Sequence, residues 1–183
     1  PGNPYIGVWW RGIQNDRFRN YFINRFADLM NSLYLPSRLL AIEESNFSRT
    51  VAEMAKQYQR WGDPFNVPAQ MNGFYQNHLV FRDELACRPE KARNYLQSNF
   101  SLPQQVAVNL DVFPAEGGKI GISTITPQEY PWNGVYFDGL PVKIEALPAP
   151  GYVFSHWEPN GLIGDTSNAI FHDTLKTLTA NFR

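Results

Sequence analysis

The sequence predicts an α+β chain: an N-terminal helical subdomain of about five helices over residues 1–102, then a small antiparallel β domain over 103–183. Three observations carry this. The hydrophobic period changes from steps of three and four to alternation near Ser101-Leu102-Pro103. Charge changes with it: residues 1–103 hold 12 basic and 9 acidic side chains, net +3, and residues 104–183 hold 4 and 8, net −4. Glycine follows, with 5 in the longer first part and 8 in the shorter second.

The strongest helix is expected over 16–34. Phe18, Phe22, Phe26, Leu29 and Leu33 recur on one face, Ile23 and Met30 widen it, and Pro36 stops it. A second helix runs over 37–44, broken by Ser45-Asn46. A third spans 47–61, with Val51, Met54, Tyr58 and Trp61 on one stripe, and ends at Gly62-Asp63-Pro64. A fourth covers 67–86, with Pro68 in its first turn, where a missing N–H costs little. A fifth starts at Pro89 and ends near residue 99, with Glu90 suiting the positive end of the helix dipole.

Strands follow. Val106, Val108, Leu110 and Val112 share one face of Gln105–Phe113. Glu116-Gly117-Gly118-Lys119 is a hairpin signal before Ile120 and Ile122. Val135–Phe137, Val142–Ala146, Tyr152–Trp157, Ala169–Phe171 and Thr177–Phe182 are further short strands. Asp138-Gly139 and Pro150-Gly151 punctuate them. An antiparallel sheet or small sandwich results.

Composition excludes several classes. With 43% hydrophobic and 18% charged residues, the 183-residue chain is not disordered. A net charge of −1 argues against a dominant nucleic-acid surface. No run of about 20 apolar residues is present, so no membrane insertion is expected. One cysteine, Cys87, supports neither an internal disulfide nor a cysteine-based metal site; it reads as a small buried hydrophobe. The chain opens at Pro1 with neither Met nor a signal segment, and so reads as an excised piece of a longer protein.

No catalytic, cofactor or metal residue is assigned. Gly117-Gly118-Lys119 is not a phosphate loop: Pro114 stands where the first glycine belongs, Ile120 follows the lysine, and a strand comes next. His156 and His172-Asp173 lack a third converging ligand. His78, Arg82, Asp83 and Glu84 read as a surface charge cluster, and a hydrolytic role for His78 would require a cleft around it. Glu43-Glu44 and Asp83-Glu84 are adjacent pairs that point apart on a helix. Asn46-Phe47-Ser48 and Asn99-Phe100-Ser101 match the glycosylation pattern, yet both read as helix-end caps. Trp132, Tyr136 and Trp157 are the candidate ligand-binding residues, since aromatic faces suit sugar CH surfaces; the alternative is that such side chains build the core of a small domain.

The stretch Phe18-Arg19-Asn20-Tyr21-Phe22-Ile23-Asn24-Arg25-Phe26-Ala27-Asp28-Leu29-Met30-Asn31 resembles a signature of the CotH family, the spore-coat-H-like atypical protein kinases. Leu35-Pro36-Ser37-Arg38, Glu53-Met54 with Arg60-Trp61, and Phe81-Arg82 with Arg88-Pro89 continue the resemblance in order, over residues 15–101. The resemblance implies the C-terminal helical part of such a protein, with the nucleotide- and metal-binding elements upstream. Residues 1–15 hold none of the carboxylates that metal-bound phosphoryl transfer needs. Residues 104–183, above all the Pro150-Gly151-Tyr152-Val153-Phe154-Ser155-His156-Trp157 run, resemble divergent bacterial-repeat or internalin-B-repeat-like modules of surface proteins, with an extended insert at Glu158–Asp173.

These resemblances imply a non-catalytic fragment of a bacterial cell-surface or extracellular protein. Its role would be structural, spacing or docking, with an upstream kinase-like part of the same parent as partner and no cofactor. The alternative is a β module that binds a cell-surface glycan or a protein.

Overall fold

The computed structural model describes residues 4–159, 163–164, 168–171 and 177–183. Among these, four helices precede eight strands: α1 Pro4–Ile13, α2 Asp16–Met30, α3 Pro36–Trp61, α4 Val67–Asn99, β1 Gln105–Phe113, β2 Gly118–Ile122, β3 Trp132–Phe137, β4 Val142–Pro148, β5 Phe154–Glu158, β6 Ile163–Gly164, β7 Asn168–Phe171 and β8 Thr177–Phe182. The α+β class stands, but the helix count is four rather than five. The expected 37–44 and 47–61 helices are one, as are 67–86 and 89–99, while α1 was not anticipated.

Both apparent breaks lie inside continuous helix. The carbonyls of Ser45 and Asn46 accept from hydroxyls of the next turn, Ser48 Oγ at 3.0 Å and Thr50 Oγ1 at 3.0 Å. Helix α4 runs through Pro89, although an interior proline removes one backbone bond. A side-chain strap crosses that turn, with Lys91 Nζ donating to Glu84 at 2.8 and 2.9 Å. The shared bond lowers the Glu84 pKa and raises that of Lys91.

The chain forms two compact units, and they do not divide at residue 103. One is Pro1–Ser32 with Tyr95–Arg183; the other is Leu33–Asn94. In the first, two four-stranded sheets, ordered β3-β1-β8-β5 and β2-β4-β7-β6, share one core. The domain is not purely antiparallel, because β1 and β8 pair in parallel, Leu110 opposite Leu178. A parallel neighbour must come from far along the chain, which no local pattern announces. The alternation read in β1 is observed: Val106, Val108, Leu110 and Val112 are buried, together with Ile120, Ile144, Leu178 and Ala180.

Helix α2 belongs to this unit. Asn15 caps it by accepting from the Phe18 N–H at 3.1 Å. Ile23 and Ala27 are fully buried in the common core, with Phe22 and Phe26 against it. The helix stops at Met30, short of the expected residue 34, with Asn31 as its C-cap and the Asn31 side chain bonded to β3.

In the second unit, α3 and the part of α4 before Tyr95 are joined by a tight turn. Asp63 Oδ1 accepts from the Phe65 N–H at 3.0 Å, and Gln70 Nε2 donates to the Asp63 carbonyl at 2.8 Å. The Arg60 guanidinium sits 5.3 Å from the Trp61 ring centre at the end of α3, a cation–π anchor.

Candidate functional site

The three aromatic candidates lie on strands of the sandwich. Trp132 and Tyr136 share a face of β3 at a spacing of four, and that face is the inner one. Tyr136 has no exposed surface and Trp157 only 6%, so both are core side chains rather than a sugar platform. Trp132 is half-buried against the same core, its ring lying over Gly134. Of the three, it alone keeps partial exposure.

The buried polar chemistry of this unit lies where α2 meets the strands. Asp28 is fully buried. Its Oδ1 accepts from the Tyr136 hydroxyl at 2.6 Å; its Oδ2 accepts from the Thr124 hydroxyl at 2.6 Å and the Thr124 N–H at 3.0 Å. Arg25 Nη1 donates to the same Thr124 oxygen at 2.7 Å. Burial first, then the Asp28 charge and hydrogen bond, push the Tyr136 pKa well above its ordinary value, with a smaller opposing effect from Asn31. One turn on, Asn31 exchanges two hydrogen bonds with the backbone of Val135, at 2.9 and 3.0 Å, as a strand neighbour would. One turn back, Asn24 Nδ2 donates to the Pro141 carbonyl at 2.9 Å. Asn24, Asp28 and Asn31 are therefore partners of the β part, not of each other.

A second cluster lies in the helical unit. Helical spacing puts Glu43 and Phe47 on one stripe of α3, and Phe74, His78 and Arg82 on one stripe of α4. Glu43 is 7% exposed and both of its oxygens are engaged. His78 Nδ1 lies 2.7 Å from Oε1, and Arg82 Nη1 lies 3.0 Å from Oε2. The same Arg82 nitrogen lies 2.5 Å from a Glu44 oxygen. Phe47 covers the imidazole face, with ring centres 3.5 Å apart, and stacks on Phe74 at 5.5 Å.

His78 is thus a held group beside an open groove of about 310 Å³, lined also by Asn46, Thr50, Asn77 and Phe81. A carboxylate-oriented imidazole is half of an acid–base dyad. The other half is missing among the described lining residues: the one hydroxyl, on Thr50, donates to the carbonyls of Asn46 and Phe47. The groove supplies a cleft but no nucleophile.

The sequence left this cluster unread, because Glu43 and His78 are 35 positions apart. The available signal was a charged residue and a histidine, each one turn from a phenylalanine on an apolar stripe; such groups need a partner when buried. The other histidine pairing considered, His156 with His172-Asp173, cannot be placed, since residues 172–173 lie outside the described residues. His156 is exposed, with Nδ1 3.1 Å from the Ser155 hydroxyl. Cys87 is half-buried within α4, its thiol donating to the Asp83 carbonyl at 3.1 Å. No described helix is long and apolar enough to cross a membrane.

Comparison with known proteins found no match to the chain among family models, curated proteins or solved structures.

Proposed function

We propose that this chain is a non-catalytic, C-terminal structural part of a CotH-like bacterial surface protein, which spaces or docks a kinase-like half carried upstream. One observation supports the reading above others. In the α2 stretch that resembles the family, Asn24, Asp28 and Asn31 direct their side chains into hydrogen bonds with Pro141, Tyr136, Thr124 and Val135. Side chains committed in this way hold a helix on a β module; they are not free to bind phosphate or metal. A structural role uses all of these contacts, whereas phosphoryl transfer would need a metal-bound triphosphate site and a base aimed at the acceptor.

The test is direct. The folded chain, incubated with ATP, magnesium and an acceptor protein, is expected to transfer no more phosphate than a heat-unfolded sample. Magnesium-dependent transfer above that background would overturn the proposal.

A further inference from the structure

We propose that Glu43, Glu44 and His78 form a binding site for a divalent transition-metal ion of the zinc type, in which the Arg82 guanidinium is the resident cation that the metal displaces. This rests on the geometry of the helical unit alone.

Four observations support it. Each of the three residues presents one ligand atom, and these atoms all lie within 4.8 Å of one another. One imidazole nitrogen with two carboxylate oxygens is a donor set suited to zinc, whereas magnesium and calcium favour oxygen alone.

The convergence point already holds a cation. A single nitrogen of Arg82 lies 3.0 Å from Glu43 and 2.5 Å from Glu44, so two carboxylates are aimed at one positive centre. A divalent ion in place of the guanidinium would put two positive charges where the two carboxylates now share one.

The site is held unevenly, in the sense that exchange requires. Glu43 is 7% exposed, and the His78 side chain is 12% exposed under the Phe47 ring, so both ligands are fixed by their helices. The Arg82 and Glu44 side chains are 31% and 58% exposed. The guanidinium can therefore leave for solvent without stranding a buried charge, while Glu44 closes on the ion. Finally, Glu43 and His78 both line the open groove, which gives an ion its entry path and room for a water ligand.

The experiment uses the untagged full chain, stripped with chelator, titrated with Zn²⁺ by calorimetry and with Co²⁺ by visible absorption. One saturable site with cobalt ligand-field bands is expected. Glu44→Gln, on an exposed side chain, is expected to weaken binding about tenfold or more, as are Glu43→Gln and His78→Gln. Helical circular dichroism establishes which variants remain folded. Arg82→Gln is expected to bind more tightly by about tenfold, because the competing cation is gone. The double variant His156→Gln/His172→Gln should bind as the wild type does. No saturable binding by either the wild type or Arg82→Gln overturns the proposal. So does wild-type affinity in folded Glu44→Gln and His78→Gln, unchanged or weakened binding in Arg82→Gln, or loss of binding in the His156/His172 variant.

Discussion

Asp28→Ala is expected to destabilise the β-bearing unit by about 3 kcal/mol or more, among the largest losses available to a single polar substitution here. The carboxylate is fully buried and accepts three hydrogen bonds, from Tyr136, the Thr124 hydroxyl and the Thr124 N–H. Removing it strands the Tyr136 hydroxyl where no water reaches, since Tyr136 has no exposed surface. That buried hydroxyl left unpaired costs about 1–3 kcal/mol, while Thr124, which is exposed, can turn its two donors to water at a smaller loss. The loss of packing from the shorter side chain adds to this. Asp28→Asn keeps the shape and one acceptor and should cost roughly half as much. Arg25→Ala, which deletes the exposed donor to the same Thr124 oxygen, should change stability by under about 0.5 kcal/mol. Urea midpoints followed by tryptophan fluorescence check the series; a loss below about 1 kcal/mol for Asp28→Ala would show that Asp28 does not hold α2 on the strands.

The same residues show what was legible beforehand. Strands were read well, because alternation is a local signal and the inward side chains of β1 fall where the period put them. Their pairing was not: the parallel contact of β1 with β8 joins residues nearly seventy positions apart. Helix ends are less legible, because punctuation residues also occur inside continuous helices. Ser45-Asn46 and Pro89 look like breaks, yet α3 and α4 run through them, as packing overrides weak local propensity. The boundary at residue 103 followed the change of period, yet α2 buries Ile23 and Ala27 in the sandwich core. A helical period says that a face is buried, not what buries it.

The burial of Tyr136 and Trp157 was illegible for a related reason. Trp132 and Tyr136 are spaced by four in a strand and must share a face, and Val106 and Leu110, inward residues of β1, lie opposite them. That register was the missing fact. Glu43 and His78 were harder still, since only the pairing of α3 with α4 brings them within 2.7 Å.

Tyr136 supplies the second large effect, at alkaline pH. Its hydroxyl is held protonated by burial and by the adjacent Asp28 charge, so its folded pKa is raised well above the ordinary value of 10.0. The unfolded chain, with tyrosine near about pKa 10, releases that proton first. The native state then binds more protons than the unfolded state, and stability falls as pH rises. The contribution is therefore fully present below about pH 10 and is lost progressively above it, toward the raised folded pKa, at a limiting slope of about 1.4 kcal/mol per pH unit. Tyr130, raised by burial against a weaker opposing bond to Ile120, steepens the same decline. Tyr136→Phe separates the two. At neutral pH it is expected to cost about 1–3 kcal/mol, because Asp28 Oδ1 loses its donor. Above about pH 10 its stability should fall less steeply than that of the wild type, so the two curves converge. Urea midpoints at several pH values, with tyrosinate absorbance as a parallel probe, decide the matter. Parallel curves from pH 9 to 12, at about one pH unit per step, would show that the Tyr136 proton is not what the fold retains.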